Sequence, residues 1–190
     1  RKYSAQIPEK YLIERVIEAG RYAPSGSNSQ TTHFIVFADK VLLAELEKIV
    51  REEFARMQIT EDMYISLKSS ILLSKKGTYV FYYQAPILIV TANKKGYGNA
   101  VADSACALEN MMIAANALDL GSCWINQLHW LDENPRVREF MMSQGLKEDE
   151  TITGGLALGY PEGGQLDRKA LERKGNPATW NMGVTGCPGK

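Results

Sequence analysis

The sequence predicts helices packed on both faces of one central sheet. Three observations carry this. Segments with helical and with strand periodicity alternate along the chain. The strand signal at residues 86–92 is a continuous apolar run, which calls for cover on both faces. The 190 residues (21.2 kDa) show no composition break, internal repeat or low-complexity tract. A single domain over 1–190 is expected, with 161–190 as a polar C-terminal tail.

Residues 8–22 read as the first helix. Pro8 suits its first turn, and Leu12, Ile13, Val16, Ile17 and Ala19 make one apolar stripe. Ala23-Pro24-Ser25-Gly26 stops it, because the residue before proline avoids the helical region. Residues 33–38 form a short buried strand. Asp39 caps the next helix, from Lys40 to about Met57, with Val41, Leu42, Leu46, Ile49, Val50 and Phe54 inward. Within 58–84 a helix is expected to start near Thr60-Glu61-Asp62 and to end at Lys75-Lys76-Gly77. The aromatic run 79–83 that follows has no clear period.

The strand at 86–92 leads through Gly96 and Gly98 into a long helix over 99–120. Seven alanines let its neighbours approach closely, and Met111, Met112, Ile113 and Leu118 fill gaps. A helix this apolar is expected to be buried, partly against a second copy of the chain, and to end at Gly121. Residues 123–125 are a short buried strand or extended segment. Asn134-Pro135 caps and opens a helix running to Ser143. The last strand, 151–160, is interrupted by Gly154-Gly155.

Charge and composition exclude several functions. The 22 basic side chains balance 22 acidic ones, which argues against an electrostatic grip on nucleic acid or on an acidic membrane. No apolar run nears the ~20 residues a bilayer requires. Cys106, Cys123 and Cys187 make no disulfide framework, so a reducing, cytoplasmic setting is expected. His33 and His129 are too few and too far apart for a metal site. The sequence lacks the glycine-rich dinucleotide fingerprint, the phosphate loop and the nucleophile elbow. Cys106 and Cys123 are expected to be inert packing thiols.

The positive signal is the turn Pro24-Ser25-Gly26-Ser27-Asn28-Ser29-Gln30. Its small side chains and paired amide donors and acceptors can line a planar polar ligand. Together with Arg21-Tyr22-Ala23 before it and Phe34-Ile35-Val36 after it, this turn resembles the signature of the FMN-dependent nitroreductase family. The block from Asp103 to Ile125, with Glu109-Asn110-Met111-Met112 and Leu120-Gly121-Ser122-Cys123-Trp124-Ile125, resembles the family's central helix and the segment after it. A third block, Leu156-Ala157-Leu158-Gly159-Tyr160-Pro161, is similar to its last core strand, with Arg168-Lys169 beyond. The three blocks occur in order across nearly the whole chain; 58–84 is the part without a match.

The resemblance implies an α+β, three-layer α/β/α fold with a mixed, mainly antiparallel sheet, in an intertwined homodimer. It implies FMN bound between the two subunits, with NADH or NADPH as electron donor and a small-molecule acceptor. The phosphate would be held by Arg1, as the last basic residue of an N-terminal element, and by Arg168 and Lys169, with Arg173 and Lys174 as the fallback pair. Residues of that element preceding Arg1 are expected to be missing from this sequence. Pro24, Ser25, Gly26, Ser27, Asn28 and Gln30 would lie along the ring from one subunit, and the segment after Trp124 would approach from the other. A backbone N–H there, from Asn126 or Gln127, would face the flavin N5. Many relatives carry glycine after Trp-Ile; Asn126-Gln127 here would narrow access. No catalytic side chain is implied, because the flavin carries the chemistry. The implied cycle is ping-pong reduction of nitroaromatics, quinones or free flavin. Reductive dehalogenation, flavin fragmentation and non-catalytic flavin binding are the alternatives.

Overall fold

The computed structural model describes residues 1–164, 166, 169 and 172–181. In chain order they form α1 (Lys10–Arg21), a 3-10 turn (Gly26–Asn28), β1 (His33–Phe37), α2 (Lys40–Arg56), α3 (Ile65–Lys75) and β2 (Ile87–Lys94). Then follow α4 (Ala100–Ala117), β3 (Gly121–Ile125), α5 (Gln127–Trp130), α6 (Pro135–Ser143) and β4 (Glu150–Gly159). The strands lie in the order β1-β2-β4-β3, and each pairing is antiparallel.

Strand periodicity divides the core into two halves. On β2, Ile87 and Ile89 face a cluster with Leu12, Val16, Leu108 and Met111 of α1 and α4. Leu88, Val90 and Ala92 face the opposite cluster, with Leu46, Phe54, Ile71 and Phe140 of α2, α3 and α6. Both faces of the central strands are thus covered, as their continuous apolar run requires. The result is the expected three-layer α/β/α arrangement. Each fully buried side chain such as Leu46 or Ile89 contributes about 1.5–3 kcal/mol of hydrophobic burial.

Local signals place several boundaries well. Asp39 accepts hydrogen bonds from the Val41 and Leu42 N–H groups at 2.7 and 3.1 Å. Asn134 does the same for Arg136 and Val137 at 3.1 and 3.2 Å, with Pro135 at the first helical position.

Four expectations are corrected. α3 begins at Ile65, because Thr60 and Asp62 bond to each other in a turn, Oγ1 to Oδ1 at 2.5 Å. α4 ends at Ala117, and Asp119 (φ 59°) takes the left-handed position expected of Gly121, which instead opens β3. β4 runs unbroken through Gly154-Gly155. A Cβ on Gly154 would stand 3.1 Å from Leu108 Cδ1 and 3.4 Å from Trp124 Nε1, so the missing side chain lets α4 and the indole close on the sheet. Finally, Val41, in the first turn of α2, is 74% exposed rather than inward. The chain itself covers α4 on one side only. Val101 and Ile113 are 55% and 60% exposed, and Cys106 lies on the same outward face.

The N-terminal segment is pinned to the end of β4. Ser4 N–H donates to the Tyr160 carbonyl at 2.9 Å, and Glu162 N–H to the Lys2 carbonyl at 3.1 Å. That pairing sets Arg1 against edge strand β3.

Candidate functional site

The 24–30 turn is a strained, clamped loop. Ser27, Asn28 and Gln30 all have positive φ, at 52°, 54° and 50°. Non-glycine residues in this region cost of order 1–3 kcal/mol each and need surroundings that hold them. Two shells do so. Within the turn, Ser25 Oγ accepts from the Gln30 N–H at 3.1 Å, and Gln30 Nε2 donates to Asn28 Oδ1 at 3.0 Å. From α4, Asp103 reaches across. Its Oδ1 accepts from the Gly26 N–H at 3.1 Å, and its Oδ2 from Tyr97 OH at 2.9 Å and Ser29 Oγ at 3.4 Å. Asp103 is 6% exposed, and as an acid in the first turn of α4 it also faces the positive helix end. A Cβ on Gly26 would fall 2.2 Å from Asn99 Nδ2, an exposed side-chain end that can swing aside, and 2.6 Å from Tyr97 OH, which Asp103 holds, so a side chain here would push on the clamp. Beneath the turn lies a cavity of about 140 Å³, lined by Pro24, Ser25, Gln30, Phe34, Asp103 and Ala107.

The second group of expected residues gathers at β3. Arg1 Nε donates to Cys123 Sγ at 3.4 Å, and its guanidinium lies 5.5 Å from the Tyr83 ring centroid. Trp124 Nε1 donates to Asn126 Oδ1 at 2.7 Å. The Asn126 N–H in turn donates to Gln127 Oε1 at 3.1 Å. The following turn is anchored to β4 at its bulge. Asp132 Oδ1 accepts from the Ile152 N–H at 2.7 Å, and His129 Nδ1 faces the Ile152 carbonyl at 2.7 Å. A carbonyl cannot donate, so Nδ1 carries the proton. Tyr83 and Gln84, beside Arg1, are again bulky residues with positive φ, 56° and 55°.

These two groups sit on opposite edges of the sheet. Ile125, Gly155, Val90 and Ile35 pair in one row across β3, β4, β2 and β1. Three strand spacings, roughly 14 Å, separate the edges. Within one chain the structure therefore brings Arg1 and 124–127 together, and Pro24, Ser25, Gly26, Ser27, Asn28 and Gln30 together, but not one group with the other. The outward face of α4 runs between them.

Of the expected phosphate ligands, Arg168 lies outside the described residues. Lys169 is exposed and lines a hollow with Met112, Asn116, Gly121 and Ser122. Arg173 and Lys174 are exposed, in a stretch without helix or strand. Asp103, Tyr97, Tyr79 and Tyr83 carry site contacts that sequence reasoning missed. An acid in the first turn of an alanine-rich helix was the available signal for Asp103; the tyrosines gave none.

The β3 edge suits a flavin nucleotide. Among the described residues, Arg1 meets no carboxylate, only a sulfur and a ring face, so its guanidinium keeps donors for an anion such as a phosphate. Amide and backbone donors of 126 and 127 stand on the same edge.

Fold and site together define the class, a three-layer α/β/α protein with a candidate ligand segment on each edge of its sheet. The sequence pattern of the Nitroreductase family matches residues 1–160, and the chain belongs to that family. A nitroreductase with bound FMN from Bacteroides fragilis is 34% identical, with a TM-score of 0.82, over 95% of this chain and 92% of that one. A nitroreductase with bound FMN from Desulfitobacterium hafniense shares the fold at 22% identity and a TM-score of 0.77, over 96% of this chain and 92% of that one. A protein of Archaeoglobus fulgidus named as an NADH dehydrogenase/NAD(P)H nitroreductase is 27% identical over 162 residues, 85% of this chain and 79% of that protein.

Proposed function

We propose that two copies of this chain hold FMN between them and pass electrons from NADH or NADPH to nitroaromatics, quinones or related small acceptors. The protein is an FMN-dependent NAD(P)H oxidoreductase of the nitroreductase type. One observation supports the two-copy site above others: the two ligand segments stand on opposite edges of one sheet, flanking an outward apolar helix face. A second copy laid on α4 covers that face and sets the 24–30 turn of one chain near the 124–127 segment of the other.

Bound FMN supplies the two-electron chemistry. The chain's residues bind and orient. Arg1 holds the phosphate with Lys169 and Arg168, and the 24–30 turn lines the ring. Of the two expected backbone donors, the Asn126 N–H is engaged by Gln127 Oε1 at 3.1 Å, so the Gln127 N–H is the one that would stabilise negative charge on a bound ring, as a fixed donor aimed at developing charge does. Donor and acceptor substrates take turns in one pocket, which makes the kinetics ping-pong. No helix among the described residues is long and apolar enough to cross a membrane. We place the enzyme in the cytoplasm, where nicotinamide donors are regenerated.

The visible absorption spectrum of the purified protein tests this reading. A flavin spectrum that bleaches anaerobically with NADH or NADPH and recovers with a nitroaromatic or quinone is expected. A colourless protein that FMN does not reconstitute refutes the reading.

A further inference from the structure

The 58–84 segment, which had no counterpart among the sequence blocks, is wired to the β3 edge. Gln127 Nε2 donates to Tyr79 OH at 2.8 Å, and Tyr79 OH meets Ser70 Oγ at 2.7 Å. Ser70 Oγ donates to the Ser66 carbonyl at 3.0 Å, inside α3. A hydroxyl has one hydrogen, and that of Ser70 is used on Ser66. Tyr79 therefore donates to Ser70 and accepts from Gln127. The Gln127 carboxamide is fixed as well, since its Oε1 must face the Asn126 N–H at 3.1 Å. A flipped amide would set N–H against N–H there and leave Tyr79 without its donor. Ser70 is 2% exposed, and the Tyr79 ring packs edge-on against buried Phe54 at 6.1 Å between centroids. The chain of bonds thus starts from a rigid core.

We propose that Tyr79 is a positioning residue: by holding Gln127 over the Asn126 N–H, it sets which donor the β3 edge offers to the flavin and ties α3 to the redox centre. This rests on the FMN reading above. With Gln127 held, the Asn126 N–H is already spent on a neutral amide oxygen. Freed from Tyr79, the Gln127 side chain can turn away and release that N–H toward the bound ring. A released donor that meets a ring carbonyl oxygen, which gains negative charge on reduction, would favour the reduced form over the oxidised form. Burial pushes the Tyr79 hydroxyl up from its ordinary value against the opposing pull of its Ser70 and Gln127 bonds, so it stays protonated at neutral pH.

The test is the midpoint potential of FMN on the intact protein, with oxidised-FMN affinity measured by fluorescence quenching. Tyr79→Phe keeps the ring and its Phe54 contact and removes only the hydroxyl. It should tighten reduced over oxidised FMN by about tenfold, read as a positive shift of about 30 mV. Gln127→Leu removes the cap directly and should shift the potential the same way, so the test survives a failure of either variant to fold. The double variant should shift no further than the larger single one, because both remove one cap. Unchanged potentials in folded, FMN-loaded variants overturn the proposal, as does a negative shift. A wild-type protein that binds no FMN would instead refute the FMN reading itself.

Discussion

Asp103→Ala removes the acceptor on which the 24–30 turn hangs. The carboxylate accepts from a backbone N–H and two hydroxyls, at 3.1, 2.9 and 3.4 Å. Hydrogen bonds to a charged group contribute about 1.5–3 kcal/mol each. Three would sum higher than the network can deliver, because the partners are coupled and, with Asp103 gone, Tyr97 OH can turn its one hydrogen to the Gly26 carbonyl at 3.3 Å. The 3.4 Å bond is the weakest. Leaving the Gly26 N–H without an acceptor costs about 1–3 kcal/mol, and with the charge-assisted hydroxyl bonds also lost the expected total is about 3–5 kcal/mol. For a domain of this size 1 kcal/mol moves Tm by about 2–4 °C, so Tm should fall by about 6–20 °C. Asp103→Asn keeps the Gly26 acceptor but turns an N–H toward the hydroxyls, and should cost about half as much. Urea and thermal unfolding followed by circular dichroism measure both. Because the damage centres on the turn, FMN affinity should weaken together with stability. An Asp103→Ala protein within about 0.5 kcal/mol of wild type would refute the clamp.

Gly26→Ala should destabilise by about 1–3 kcal/mol, through the 2.6 Å approach to Tyr97 OH, which its bonds to Asp103 and Ser29 hold in place, as seen in the same unfolding measurement; an unchanged Tm counts against it. Arg1→Ala should weaken FMN binding by about tenfold or more in a fluorescence titration, the value of one charge-assisted bond; unchanged affinity would move the phosphate clamp to the C-terminal cations. Burial alone pushes the Glu150 carboxyl up, but the Lys147 N–H, the His33 ring at 2.9 Å and the Lys147 charge outweigh it and hold it below the usual range. Its stabilisation is therefore complete above about pH 4.3 and is lost as pH falls through the lowered value. Glu150→Gln should flatten that acid limb of the stability profile; a limb of unchanged slope contradicts the assignment. In the kinetics, Cys123→Ser and His129→Ala should leave flavin reduction by NADH within about tenfold of wild type, because neither side chain has a part in the chemistry. A thousandfold loss with FMN bound would reveal a catalytic side chain.

What the sequence reveals and hides follows from the range of the interactions. The caps at Asp39 and Asn134 are local, with partners two or three residues away, and they are legible. So is β2, whose continuous apolar run demands two covered faces. The turn at 24–30 can be picked out by its residue types, but its clamp joins residues 77 apart and follows no local pattern. α5 is four residues long, too short for a periodic signal, and its place is fixed by contacts to β4 over twenty residues away. The outward face of α4 looks like core in the sequence because it is apolar; in a single chain it is surface. The proposed second copy would cover that face.

The composite site is the central claim, and complementation between two broken chains tests it most directly. One variant carries Ser25→Ala with Asn28→Ala, the other Arg1→Ala with Gln127→Leu. Each is purified alone and then co-expressed with the other under separate tags. If each site takes its turn from one copy and its β3 edge from the other, a mixed dimer has one intact site and one doubly broken site. With random pairing the mixture should regain about a quarter of wild-type NADH-dependent activity, and the doubly tagged dimer about half. If both segments served the same site within one chain, every mixed dimer would carry two damaged sites. Activity no greater than that of the parent variants would contradict the account.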